Sequence, residues 1–129
     1  MIALYIILGI VLLFIALQMV PRLISASKKG KDAPELSGSY SRAVKKSNQP
    51  SLFYFYSPQC GACKPMTPII DKMADRYRNL FKVNVANDMD TARKFGVMGT
   101  PSIVLVKEGK IQEFLVGPQP EDKIVDLLK

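Results

Sequence analysis

Leu52-Phe53-Tyr54-Phe55-Tyr56-Ser57-Pro58-Gln59-Cys60-Gly61-Ala62-Cys63-Lys64 is the stretch on which the reading of the chain turns. Its first five residues are aromatic and apolar without alternation, the pattern of a strand buried on both faces. From Lys64 to Leu80, the apolar residues Met66, Ile69, Ile70, Met73, Ala74 and Tyr77 recur at spacings of three and four, which predicts a helix with one buried side. The C-x-x-C pair is therefore expected where a buried strand passes into a helix N-terminus. Open N–H groups and the macrodipole of a helix start favour a thiolate over a thiol, and the thiolate is the species that attacks disulfides.

Other uses of two cysteines have to be weighed against redox exchange. Structural zinc takes four Cys or His ligands. This chain has two Cys and no His, so it completes no such site alone, and a metal shared across a dimer is the version that remains. A static disulfide closing so short a loop would add little to stability. Absence of His also removes Cys–His nucleophilic hydrolysis by this chain alone.

Two later features sharpen the reading. Gly99-Thr100-Pro101-Ser102 follows, with Pro101 standing 38 residues after Cys63, and leads into the β-branched run Ile103-Val104-Leu105-Val106. Gly117 then closes the next predicted strand ahead of a terminal amphipathic helix. With Lys64 and Pro68 at matching intervals, the chain from about Ser39 to Lys129 resembles the thioredoxin family. The resemblance implies an α/β fold, a mixed sheet flanked by helices, and thiol–disulfide exchange with no cofactor beyond the redox-active disulfide. It implies that Cys60 is the exposed nucleophile and Cys63 the buried resolving cysteine, with Gly61 and Ala62 tuning the potential and Lys64 beside them. It further implies that Pro68 kinks the active-site helix and that Pro101 is a cis-proline packed against the disulfide. Thr100, Pro101, Tyr56 and Gly117 would line the surface that takes substrate, the backbone at Thr100 pairing with an extended partner segment.

The departures from the family pattern are specific. A buried Asp usually stands six residues before the first cysteine as proton acceptor, and this chain has Tyr54 there, with no His or carboxylate nearby in sequence. Tyr56 and Gln59 stand where Trp residues are common, and Ala62 replaces a usual Pro. Pro65 deprives the Gly61 carbonyl of an i+4 donor. Lys82 resembles a family lysine near the buried pair and is the candidate aid to proton transfer. A retuned or slower exchanger is expected, as is a rival: an adaptor that uses the fold for binding without redox activity.

The N-terminus belongs to another environment. From Ile2 to Leu17 no residue is charged or strongly polar, and apart from Gln18 the apolar run continues to Val20. Twenty helical residues span about 30 Å, the thickness of a bilayer's hydrocarbon core. A transmembrane anchor over residues 1–24 is expected, with a basic juxtamembrane linker over 25–38 and the thioredoxin-like domain over 39–129. A cleaved signal peptide fits less well, because no Lys or Arg precedes the run and its apolar core is too long. Arg22, Lys28, Lys29 and Lys31 follow the span and favour a cytoplasmic domain by the positive-inside rule. Membrane-tethered members of the family often work on the outer face, so both placements stand. A reductant or oxidant on the domain's own side is required, since the span carries no Cys.

The remaining elements follow from pattern and turn chemistry. A short helix is expected over Ser39–Ser47, with no strand before it, so the sheet is expected to have about four strands and lack the family's first one. Phe81–Val85 alternates as a strand, and Asn87 or Asp88 caps a helix over Met89–Phe95 ending at Gly96. Ile103–Lys107 and Ile111–Val116 are strands joined through Glu108-Gly109-Lys110. The last helix starts at Gln119-Pro120 and turns Ile124, Leu127 and Leu128 inward. Net charge is +7, but from Lys31 onward fifteen basic residues face eleven acidic ones without basic runs interleaved with aromatics. Nucleic-acid binding is therefore not expected.

Overall fold

The computed structural model describes residues 1–36, 38–45 and 48–129. Its strands are β1 (Ser51–Tyr56), β2 (Leu80–Asn84), β3 (Ser102–Lys107) and β4 (Lys110–Val116); its helices are α1 (Ile2–Lys28), α2 (Ser39–Lys45), α3 (Thr67–Arg76), α4 (Met89–Phe95) and α5 (Glu121–Leu128). Lys46 and Ser47, at the end of the expected first helix, lie outside the described residues. The sheet has four strands in the order β2-β1-β3-β4, β1 parallel to β2 and the other neighbours antiparallel. This is the mixed sheet the sequence predicts, and β2 is an edge.

β1 is central, and its lack of alternation follows from that position. Phe53 and Phe55 point into one core with Val83, Phe95, Val104 and Phe114, while Leu52 and Tyr54 point into the other with Ile70, Met73, Ile103 and Ile124. Both faces of the strand are covered, so Leu52–Phe55 does not alternate between apolar and polar residues. The helices are set by local chemistry. Asp88 caps α4 by accepting from the Thr91 N–H at 3.2 Å, and Gly96 ends it in the left-handed conformation with φ +72°. On α5, Ile124 and Leu128 are buried, whereas Leu127 is half-buried.

Two expectations require correction. The active-site helix does not begin at Lys64 but at Thr67, and it ends at Arg76. In a helix begun at Lys64, Pro68 would leave the Lys64 carbonyl without its i+4 N–H donor and set its ring against that carbonyl, so residues 61–66 form successive turns instead. Lys64 N–H then donates to the Gly61 carbonyl at 3.3 Å, three residues back, and satisfies the acceptor that Pro65 leaves without an i+4 donor. Pro68 lies in the first turn of α3 and opens that helix rather than kinking it.

Helix α1 is 27 residues long and remains helical through Lys28, eight residues past Val20. Over Ile2–Val20 it is long and apolar enough to cross a membrane, and none of that stretch is buried within the protein. Its end is fastened to β4. Lys28 gives its ammonium to the Gly96 carbonyl and sits 4.4 Å from the Phe114 ring centroid, and Lys29 pairs with Glu113 at 2.7 Å. Gly30 N–H donates to Ile111 O, Ile111 N–H to Lys31 O, and Ala33 N–H to Gly109 O, so residues 30–33 run along the otherwise open edge of β4. Leu36 then enters the core beside Val44 and Phe53.

Candidate functional site

The C-terminal end of β1 delivers Tyr56, and the turns after it carry the two cysteines. Cys60 and Cys63 are joined in a disulfide. Cys60 is half-buried; Cys63 is 2% exposed. The Cys63 N–H points at the Cys60 sulfur from 3.1 Å. A backbone N–H directed at a sulfur is a donor of the kind a helix terminus was expected to supply. Gly61, Ala62 and Lys64 lie in the turns, not on the first residues of α3.

The second half of the site comes from the loop before β3. The Thr100–Pro101 peptide bond is cis. Pro101 is buried, and the Cys60 sulfur is 3.5 Å from the Thr100 carbonyl oxygen. The Gly117 N–H donates to the Pro101 carbonyl at 2.9 Å, and Gly117 has φ +90°, where a side chain would be strained. Two shallow grooves flank the sulfur pair. One, of about 320 Å3, runs between Tyr56, Pro58, Lys64 and Pro68; the other, of about 260 Å3, lies between Ser57, Met89, Met98 and Thr100.

Beneath the cysteines the structure assembles a polar group that sequence reasoning missed. The Tyr54 hydroxyl lies 3.4 Å from the Thr67 hydroxyl, which donates to the Cys63 carbonyl at 3.0 Å. Burial pushes the Tyr54 phenol above its ordinary range, with the Thr67 hydrogen bond and the Lys82 charge opposing it. The Lys82 ammonium is held by the Asp71 carboxylate and lies 5.2 Å from the Tyr56 ring centroid. That hydrogen bond holds Lys82 above the usual lysine range, against the effect of burial. Asp71 thus places a carboxylate close to Tyr54 in space, though it is seventeen residues away in sequence. Its only signal in the sequence is an i+4 spacing, Cys63-Thr67-Asp71, along one side of the turn and helix. Among the described residues there is no group of three or more His, Cys, Asp or Glu side chains able to hold a metal.

Comparison with known proteins agrees with this geometry. The thioredoxin family model matches residues 32–129. The chain belongs to the thioredoxin family. It is 31% identical over 93 residues to a thioredoxin of Pseudomonas aeruginosa, covering 70% of this chain and 86% of that one. It is 32% identical over 78 residues to a thioredoxin of Bacillus subtilis, covering 57% and 74%. Among solved structures, a mutant thioredoxin from Halobacterium salinarum superposes with a TM-score of 0.58 at 29% identity over 77% of this chain and 93% of that one. A thioredoxin from Nicotiana alata gives 0.57 at 32% identity, covering 66% and 75%. This thioredoxin-family chain is a disulfide oxidoreductase whose cysteine pair is Cys60 and Cys63.

Proposed function

We propose that the chain is a membrane-tethered thiol–disulfide oxidoreductase that exchanges its Cys60–Cys63 dithiol or disulfide with partner proteins. The observation that carries this reading is the asymmetry of the pair: an accessible Cys60 sulfur facing the Cys63 N–H, and a Cys63 buried behind it. In the reducing direction the Cys60 thiolate attacks one sulfur of a partner disulfide. A Cys60–partner bond forms, the partner's own S–S bond breaks, and the released partner sulfur takes a proton. Cys63 then loses its proton and attacks the Cys60 sulfur, which reforms the intramolecular disulfide and expels the second partner thiolate. Two electrons have passed from the chain to its client. A dithiol reductant on the same side returns them, and the reverse sequence oxidises a client. No cofactor enters these steps.

Thr100 and Pro101 offer the backbone beside which an extended partner segment can lie, with Tyr56 and Gly117 at its borders. Gly61, Ala62 and Lys64 set the immediate surroundings of the sulfurs. Lys82 acts with Asp71 and Tyr54 rather than alone, through the charge it places near the buried phenol. The exposed apolar surface of Ile2–Val20 supports a single-pass anchor. Arg22, Lys28, Lys29 and Lys31 beyond it favour a cytoplasmic domain, with an extracytoplasmic one as the alternative. Labelling of an engineered tether thiol from intact cells, in a background lacking Cys60 and Cys63, decides between them.

A disulfide-reduction assay tests the chemistry against the adaptor reading. Wild type is expected to turn over, Cys60→Ser to fall to background, and Cys63→Ser to accumulate a mixed disulfide. Equal rates for all three would leave only the binding role.

A further inference from the structure

The docking of α1 on β4 fixes which end of the domain meets the membrane. Going from Lys28 to Gly30, the partners on β4 run from Phe114 back to Ile111, so helix and strand are antiparallel. Followed the other way, Arg22 and Ala26 share a cleft with Val116, Gln119 and Lys123. The helix rises about 9 Å from Lys28 back to Arg22, close to the roughly 10 Å that three residues of strand cover from Glu113 to Val116. Arg22 is two residues beyond Val20, where the apolar run stops. The Val116 end of β4 is therefore the end nearest the bilayer.

That end is also the redox end. Val116 pairs with Ser102, the next residue, Gly117, donates to Pro101 O, and the Thr100 carbonyl faces the Cys60 sulfur. The β3–β4 turn, at Lys107 and Lys110, is at the opposite pole. Surface composition points the same way independently. Beyond α1 and the Met1 that precedes it, the large apolar side chains exposed among the described residues are Met98 (87%), Met89 (48%) and Val116 (43%). Met89 and Met98 line the groove beside Thr100, and Val116 borders Gly117. Arg22 and Lys123 place cations at the same level, suited to lipid phosphates.

We infer that α1 holds the Cys60–Cys63 end of the domain facing the bilayer, so that its exchange partner is a membrane protein whose thiol or disulfide lies at the lipid–water boundary. This rests on the anchor reading given above. A disulfide displayed far from the membrane cannot reach a sulfur turned toward lipid, whereas one at the boundary meets the exposed Met98 and Val116 surface directly.

The chain contains no Trp, so one introduced Trp reports its own position. Full-length Met98→Trp, Lys107→Trp and Leu12→Trp proteins are reconstituted into phosphatidylcholine vesicles bearing a nitroxide either on the headgroup or midway along the acyl chain. Val116 and Lys110 are six residues apart on one strand, which separates the two poles by about 20 Å. Headgroup nitroxide is expected to quench the Trp at 98 several-fold more than the Trp at 107, and mid-chain nitroxide to quench the Trp at 12. Equal or reversed quenching at 98 and 107, with the Trp at 12 still quenched, overturns the orientation and leaves the anchor standing. An unquenched Trp at 12 overturns the anchor and the orientation with it.

Discussion

The Cys60 sulfur lies 3.5 Å from the Thr100 carbonyl oxygen, while its disulfide partner Cys63 is almost wholly enclosed. Reactivity of the reduced pair should follow that difference in access. Brief iodoacetamide treatment of the reduced protein is expected to modify Cys60 at least about tenfold faster than Cys63, because alkylation requires an accessible thiolate. Peptide mass spectrometry reads the ratio. Comparable labelling of both positions would contradict the division of roles between attacker and resolver.

The Thr67 hydroxyl joins Tyr54 to the Cys63 carbonyl. Thr67→Val removes it and leaves the Tyr54 hydroxyl without that partner, a loss of about 1–3 kcal/mol. Tyr54→Phe removes the other end and should cost less. In urea unfolding the double variant is expected to be less destabilised than the sum of the singles, since the orphaned phenol is gone. Additive effects would mean that the two hydroxyls do not act together.

Alkaline pH should weaken the fold through Tyr54 and Lys82. Each has its titration raised in the folded state, Tyr54 chiefly by burial and Lys82 chiefly by its hydrogen bond to Asp71. Each therefore binds its proton more tightly folded than unfolded, and stability falls as pH climbs from the unfolded value through the raised one. The decline begins at about pH 10. Chemical denaturation between pH 8 and pH 11 (both approximate bounds set by the ordinary Tyr and Lys values) should show it, with a shallower fall in Tyr54→Phe, which removes one titration and part of what raises the other.

Asp88 caps α4 through both the N–H and the hydroxyl of Thr91, at 3.2 and 2.8 Å. Asp88→Ala should cost about 1 kcal/mol. For a domain of this size that lowers the melting temperature by about 4–8 °C, measurable by calorimetry.

At Gly96, a Cβ would stand 2.8 Å from the Lys28 Nζ on a backbone with φ +72°. Gly96→Ala is expected to cost about 1 kcal/mol from the left-handed conformation alone. Because it also displaces the Lys28 ammonium, amide hydrogen exchange at Gly30 and Ile111 should quicken. Unchanged protection there would mean that the helix end is held by the backbone pairing without help from Lys28.

Local pattern revealed the elements, and non-local contact decided what the sequence did not show. The unalternating run at Leu52–Tyr56 predicts a central strand because two cores need apolar residues on both sides. Asp88 and Gly96 mark both ends of α4 through chemistry confined to a few residues. The apolar period of Met66 to Tyr77 was blind to Pro65 and Pro68, which shorten the helix without changing which side chains face inward. The Tyr54–Thr67 contact and the Asp71–Lys82 pair join residues 13 and 11 positions apart. The Lys29–Glu113 pair joins residues still further apart. No periodicity encodes such meetings; they arise from how the elements pack.

The pairing of Gly30–Ala33 with the β3–β4 hairpin, together with the seating of Leu36, has a practical consequence for anyone cutting this protein down. A soluble fragment opening at position 39 discards a core leucine and uncovers a strand border, so it should express poorly and aggregate. One opening at Lys28 retains both, together with the Lys28 and Lys29 contacts, and sheds the greasy rod.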